Sequence, residues 1–179
     1  MTDSTNGSGS APAIAPAGPA PSGSPQQQAS ISVNTQYVKD LSFENPNAPQ
    51  SLVPQTSQPN IDVNVNVQAR GLGPNVYEVV LSITCTAKHE TMTAFIVEVA
   101  YAGVFTLTGV AAQDTHPILL IECPRLLFPF ARALVANATR EGGFLPLLIQ
   151  PIDFLDLYRR QAAAQGPGVP PPTSPPQGA

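Results

Sequence analysis

In the segment Ile61-Asp62-Val63-Asn64-Val65-Asn66-Val67-Gln68, β-branched apolar residues alternate strictly with polar ones. Consecutive side chains of a strand point to opposite faces, so this pattern reads as a strand with one dry and one wet face. Half-buried strands belong to antiparallel sheets, because parallel strands are covered on both sides. The neighbouring sequence extends the sheet. Ile31, Val33, Thr35 and Tyr37 alternate in the same way, until Asn45-Pro46-Asn47 breaks the pattern and opens a long loop. Gly71-Leu72-Gly73-Pro74-Asn75 reads as a turn. After it, Val76 to Thr86 and Thr91 to Tyr101 are rich in Val, Ile, Thr, Tyr and Phe, and the short polar connection between them predicts a hairpin.

The second half of the chain changes period. Asp114 or Thr115 can cap a helix, with Pro117 near its first position, where a missing N–H costs nothing. Leu127, Ala131, Leu134 and Ala138 recur at helical spacing, and Gly142-Gly143 can end that helix. Pro124 and Pro129 predict a break or kink near one of them. A shorter helix can start around Asp153 and bury Phe154, Leu157 and Tyr158. Strands followed by helices, rather than alternating with them, predict an α+β fold with an antiparallel sheet covered by helices on one side.

That single cover raises a question of assembly. The strand from Thr91 to Tyr101 points Phe95, Val97, Val99 and Tyr101 one way and Met92, Ala94, Ile96, Glu98 and Ala100 the other, so apolar groups lie on both faces. One helix layer cannot bury both. The remaining face is expected to meet a second subunit or to be a binding surface, since large apolar patches are uncommon on plain monomers.

Residues 1–29 and 162–179 are built from Ala, Pro, Gly, Ser and Gln and lack the apolar surface that would offset their ordering entropy, so both are expected to be disordered tails flanking a domain at 30–161. The net charge of −4, with Lys and Arg scattered from Lys39 to Arg160, argues against a nucleic-acid partner. The two cysteines, Cys85 and Cys123, are too few for a disulfide scaffold and point to a reducing compartment. No charged start precedes an apolar run at the N-terminus, and no run approaches the roughly 20 apolar residues of a membrane helix. A cytoplasmic protein without direct membrane insertion is the expectation.

Little chemistry is visible. His89 and His116 are the only side chains able to act as neutral-pH bases, and neither lies in a local motif with a Ser or Cys nucleophile. Cys85 and His89 have a ligand-like separation, but a zinc site needs about four ligands, and only Cys123 and His116 remain as soft donors. Gly71-x-Gly73 lacks the third glycine and following helix of a phosphate loop. No catalytic residue, metal or cofactor is therefore expected. Two patterns stay open on the residues alone. Asp40 and Glu44, like Ile96 and Glu98, project from one face of extended chain, as either ordinary solvated charge or an acidic dock for a basic partner. The stripe Ile61, Val63, Val65 is either core or a groove for unfolded chains.

The run Tyr37-Val38-Lys39-Asp40-Leu41-Ser42-Phe43-Glu44-Asn45-Pro46-Asn47-Ala48-Pro49 resembles the N-terminal signature of the SecB family of export chaperones. The resemblance continues through Val76-Tyr77-Glu78-Val79-Val80-Leu81, Thr93-Ala94-Phe95, Gly103-Val104-Phe105, Cys123-Pro124 and Leu127-Phe128-Pro129-Phe130-Ala131-Arg132. It then reaches Gly143-Phe144 and Pro151-Ile152-Asp153-Phe154. It implies a four-stranded antiparallel sheet with two helices per subunit, assembled as a homotetramer that is a dimer of dimers. It implies an ATP-independent holdase that binds unfolded precursor proteins and delivers them to the translocation motor SecA. By the same resemblance, Asp40, Glu44, Ile96 and Glu98 match the acidic face that docks the zinc-bearing, basic C-terminal segment of SecA. Ile61, Val63, Val65, Phe154, Leu157 and Tyr158 match the client-binding surface, and Val97, Val99 and Tyr101 match positions at subunit contacts. The chain departs from the family in lacking the tryptophan often found before the strand at Ile61, in its Ala/Pro-rich N-terminal extension, and in an uncharged Pro/Gly/Gln tail where relatives often carry acids.

Overall fold

In the computed structural model, residues 28–54, 57–90 and 92–165 are described. Four strands form one antiparallel sheet: β1 (Ser30–Glu44), β2 (Asn60–Gly73), β3 (Val76–His89) and β4 (Met92–Thr108). Their order is β1-β4-β3-β2, so the hairpin predicted from Val76 onward forms the centre and the two alternating segments form the edges. Both central strands run further than their composition suggested. β4 continues through Gly103 to Thr108, paired with Ser30–Gln36 on one side and Val76–Val79 on the other. The β2–β3 turn closes tightly on Asn75, whose φ of 58° is the left-handed conformation that asparagine tolerates.

One face of the sheet carries the helices. Val79, Leu81, Ile83 and Cys85 of β3 and Val97, Val99 and Phe105 of β4 all point to it and are buried. Each such side chain contributes about 1.5–3 kcal/mol by leaving water. Above them lies a continuous helical rod, α1 (Ala112–Pro117), a π-helical turn (Ile118–Glu122) and α2 (Cys123–Glu141), followed by the shorter α3 (Phe154–Gln165). The first helix differs from expectation. It begins at Ala112 with no side-chain cap, Thr115 bonds its hydroxyl to the Ala111 carbonyl, and Pro117 ends the helix instead of starting it. The expected irregularity falls ahead of Pro124, which has no N–H to give the Leu120 carbonyl, and the rod widens into the π turn, with the Cys123 N–H bonded to the Ile118 carbonyl. Pro129 lies inside α2 on its exposed side, where water can serve the freed carbonyl.

The buried stripe of α2 is Leu127, Ala131, Val135 and Thr139. Leu134 and Ala138, expected in that stripe, are rotated to its flank and only partly buried. Gly103 lets α2 lie close to β4, since a Cβ there would come within 2.9 Å of Leu127. α2 ends as the Gly142-Gly143 pair predicts. Gly143 has φ 89°, its N–H bonds the Arg140 carbonyl, and the Phe144 N–H bonds the Thr139 carbonyl. Asp153 caps α3 by accepting from the N–H groups of Leu155 and Asp156. α3 runs on to Gln165, past the domain boundary expected at 161. The tails expected at 1–29 and 162–179 otherwise lie outside the described residues, apart from exposed Gln28 and Ala29.

The opposite face is not the broad apolar surface expected of it. Ile96, Ala100, Ala102 and Val104 alternate there with Glu98 on β4, but their β3 neighbours are Thr86, Thr84, Ser82, Val80 and Glu78. Small and hydroxyl-bearing side chains fill most of it, and Ala102 is already buried by its neighbours.

Candidate functional site

The helical rod lies over β3 and β4, which leaves the helix-side row of edge strand β2 uncovered toward its start. Ile61 and Val63 are 38% and 39% exposed there, and Val65 is half-buried. Facing this row is the segment after Gly143, which has no regular structure until α3 begins. Its position is fixed by Thr139, a fully buried residue whose hydroxyl donates to the Val135 carbonyl (3.0 Å) and accepts from the Leu147 N–H (3.0 Å). The two walls enclose an open groove of about 620 Å³, lined on one side by Ile61, Val63 and Val65 and on the other by Leu147, Leu148, Ile152 and Leu157. At Ile61 and Leu147 the groove runs into a second hollow lined by Leu52, Val53, Phe95, Phe144 and Leu145. Asp156 and Arg160, joined as an ion pair, sit at the rim. The result is a long apolar trough beside an edge strand, a surface able to hold extended apolar peptide with little sequence preference.

Four of the six expected client residues, Ile61, Val63, Val65 and Leu157, share this trough. Phe154 does not open into it. It is 1% exposed and packs edge-on against Phe128, with ring centroids 6.0 Å apart, so it anchors the helix that forms the wall. Tyr158 faces a separate cleft, where its hydroxyl lies 3.3 Å from His116 Nδ1 and Asn66 and Leu120 are close by. Leu52, Val53, Phe144, Leu145, Leu147 and Leu148 were not singled out from sequence. The available signal was the run Phe144-Leu145-Pro146-Leu147-Leu148-Ile149, apolar yet barred from helix by a preceding glycine pair and its own proline.

On the opposite face, register places Glu44 across from Ile96, Ser42 across from Glu98 and Asp40 across from Ala100. Asp40, Glu44, Ile96 and Glu98 therefore project together from neighbouring positions of β1 and β4. The three carboxylates are exposed, and among the described residues none forms an ion pair with Lys or Arg. Glu78 differs from them. It is 4% exposed, accepts a hydrogen bond from the Tyr37 hydroxyl, and is paired with Lys39 (2.9 Å) and Arg70 (3.0 Å). The Tyr37 bond, and then the Lys39 bond, hold its carboxyl below the usual range, while the same bond pushes the Tyr37 hydroxyl up. Glu78 is thus satisfied within the chain, and the other three acids are free for a partner.

Val97 and Val99, expected at a subunit contact, are buried beneath α2 within the chain itself. Tyr101 is half-buried and stacks on Phe130, with centroids 5.9 Å apart. The exposed apolar surface on this side belongs to Leu126 and Phe130 of α2 and to Val38 and Leu41 of β1. Burial pushes the Cys85 thiol up to about 11 and, with help from Glu122, the Cys123 thiol up to about 12, so neither is a ready nucleophile. Among the described residues no three of His, Cys, Asp and Glu gather as a metal ligand set, and no helix is long and apolar enough to cross a membrane.

Comparison with known proteins places this architecture. The family model of the preprotein translocase subunit SecB matches residues 24–165. The protein-export protein SecB of Rhodospirillum centenum is 60% identical over 135 residues, 75% of this chain and 80% of that one. That of Nitrobacter winogradskyi is 52% identical over 165 residues, 90% of this chain and 97% of that one. Among solved structures, the SecB-like chaperone of Mycobacterium tuberculosis, in complex with a peptide from an antitoxin, superposes with a TM-score of 0.57. It covers 68% of this chain and 90% of its own at 13% identity, a likeness of fold. The trough, the acidic face and the α+β frame that separates them are those of a chain that belongs to the SecB family of protein-export chaperones.

Proposed function

We propose that the trough between β2, the segment after Gly143 and α3 captures unfolded precursor proteins in the cytoplasm, without nucleotide, and keeps them competent for translocation. SecA then docks its basic C-terminal segment on Asp40, Glu44, Ile96 and Glu98, and any zinc in that complex belongs to SecA. Ile61, Val63, Val65 and Leu157 supply client contact, Phe154 holds their wall in place, and Tyr158 ties α3 to α1 through His116. Four copies assemble as a dimer of dimers, in which Val97 and Val99 act by seating α2 and Tyr101 by supporting the exposed Phe130. As a member of a family of export chaperones the chain is not an enzyme.

The observation that carries this reading is the continuity of the trough, in which exposed apolar residues of a free strand edge face an irregular apolar segment across an open floor. Affinity in such a site comes from many shallow contacts and lowers the concentration of free unfolded chain by mass action. Native mass spectrometry of the purified protein, alone and with a chemically unfolded precursor and no nucleotide, tests it. The expected result is a tetramer that gains one client chain. A tetramer that ignores several unfolded clients would overturn the holdase reading.

A further inference from the structure

α3 ends beside a cleft that the trough does not use. Tyr158 and His116 line it together, with ring centroids 5.7 Å apart and the Tyr158 hydroxyl 3.3 Å from His116 Nδ1. Leu120 adds apolar surface, and Asn66, Gln68 and Gln161 bring side-chain amides. No hydrogen bond within the described part of the chain engages those three amides. The cleft has a volume of about 470 Å³, and among the described residues no Asp, Glu, Lys or Arg lines it. An aromatic pair beside apolar surface, with free amide donors around it, is the chemistry that recognises proline-rich chain. The rings pack on pyrrolidine faces, and the donors meet the carbonyls of residues that have no N–H of their own.

Such a segment follows directly in the sequence. α3 runs to Gln165, and the chain continues Gly166-Pro167-Gly168-Val169-Pro170-Pro171-Pro172-Thr173-Ser174-Pro175. A glycine just past the last helical residue, with proline after it, is the composition that stops a helix and lets the chain reverse. From Tyr158 to Gln165 the helix climbs about 10 Å, at about 1.5 Å per residue. Val169 to Pro172 spans about 12 Å in polyproline geometry, at about 3.1 Å per residue. A reversal at Gly166-Pro167-Gly168 therefore brings the proline run back level with Tyr158. Residues 166–179 carry no charged side chain, which matches the uncharged cleft, whereas the trough has the Asp156–Arg160 ion pair at its rim. Because proline fixes φ in advance, little backbone freedom is left to lose on docking.

We propose that the run Pro170-Pro171-Pro172 of the chain's own C-terminal segment folds back along α3 and docks on Tyr158 and His116. This goes beyond the holdase reading and does not depend on it, since the cleft is separate from the trough and its occupation leaves the trough open. Tethering makes a weak contact sufficient, because a short linker presents the segment at an effective concentration of about a millimolar. The docked run braces α3, and with it Leu157 on the trough wall.

The test reads Tyr158 directly. The chain has four tyrosines, Tyr37, Tyr77, Tyr101 and Tyr158, so labelling with 3-fluorotyrosine gives a fluorine NMR spectrum simple enough to assign with Tyr158→Phe. The full chain is compared with one ending at Gln165 and with the combined substitution Pro170→Ala, Pro171→Ala and Pro172→Ala, none of which alters a residue of the sheet or helices. The Tyr158 resonance is expected to move on truncation, with the other three unchanged, and the alanine variant should match the truncated chain. Free peptide of residues 166–179 should restore the full-length position only at about millimolar concentration. Hydrogen exchange over residues 116–120 and 154–165 should quicken about threefold or more on truncation, as a populated tethered contact requires. The Kd for a fluorescent, reduced and carboxymethylated protein should stay within about twofold. A Tyr158 resonance that is the same with and without the tail would overturn the proposal, as would an alanine variant that keeps the full-length position. Tighter binding of the unfolded protein on truncation, with Tyr158 unmoved, would overturn it by placing the tail in the trough.

Discussion

Val63 and Phe154 show how differently two expected client residues behave once packed. Val63 stands on the free edge strand, more than a third exposed, with Leu148 and Leu157 across the trough. Val63→Arg removes little packing from the chain but places a charge where client side chains must lose water, which costs most when no counter-charge is present. Client affinity is expected to fall about tenfold or more, equivalent to about 1.4 kcal/mol, with the mass of the assembly unchanged, as read by fluorescence titration and native mass spectrometry. Unchanged capture would remove β2 from the site. Phe154 lies beneath the wall, and its contribution is structural. The alternation Ile61 to Gln68 made Val63 legible because a period of two assigns faces without knowledge of the rest of the fold. The helical spacing of Phe154, Leu157 and Tyr158 could not rank them, because which one faces down depends on Phe128, which is 26 residues distant in sequence.

At the scale of strands, Glu78 ties three of them together. Tyr37 and Lys39 of β1 reach it across β4, a path left open by the small side chain of Ala102 between them, and Arg70 reaches it from β2. Because its pKa is depressed in the folded state, this carboxylate contributes stability above its unfolded pKa, and that contribution is lost as pH falls through the folded value. Glu78→Gln is therefore expected to destabilise the fold at neutral pH by roughly 1 kcal/mol, a modest figure because Lys39 and Arg70 are largely solvated, and the gap from wild type should close in acid. Urea unfolding at several pH values measures it, and a pH-independent gap would assign the loss to packing. The neighbouring acids should respond in another way. With Asp40 and Glu98 both reversed to Lys, stability should hold while SecA affinity drops, and the drop should shrink as salt rises, since the screening length is about 10 Å at 0.1 M. Sequence alone could place Asp40, Glu44 and Glu98 on strand faces. It could not show that they share a face with each other and that Glu78 is internally spent, because both depend on cross-strand register.

At the scale of the whole molecule, the question is where the chain still has surface to lose. Sequence pointed to the back of the sheet, but that face is filled by Ala, Ser and Thr, and β1 and α2 carry the surplus: Val38 and Leu41 on the strand, Leu126 and Phe130 on the helix. A hydrophobic count along β4 could not reveal this, since it scored Ala100 as apolar without its small size, assigned Ala94 to this face although a register shift opposite it leaves Ala94 in the core, and said nothing of how far α2 would reach. β1 is also an edge strand of 15 residues, long enough to invite pairing unless something covers it. β2, the other edge, borders the trough and, on the proposed function, stays open for clients. Assembly is therefore expected through β1 and the outer side of α2, and the two surfaces give a dimer of dimers two distinct contacts. Replacing both Leu126 and Phe130 with Asp alters only residues that are about half exposed, so each chain should still fold. The expected outcome in native mass spectrometry is a species smaller than the proposed tetramer, with cooperative unfolding retained in circular dichroism. A tetramer that survives both substitutions would show that the outer face of α2 is not an assembly surface, and would leave its exposed Phe130 as an additional place for clients to bind.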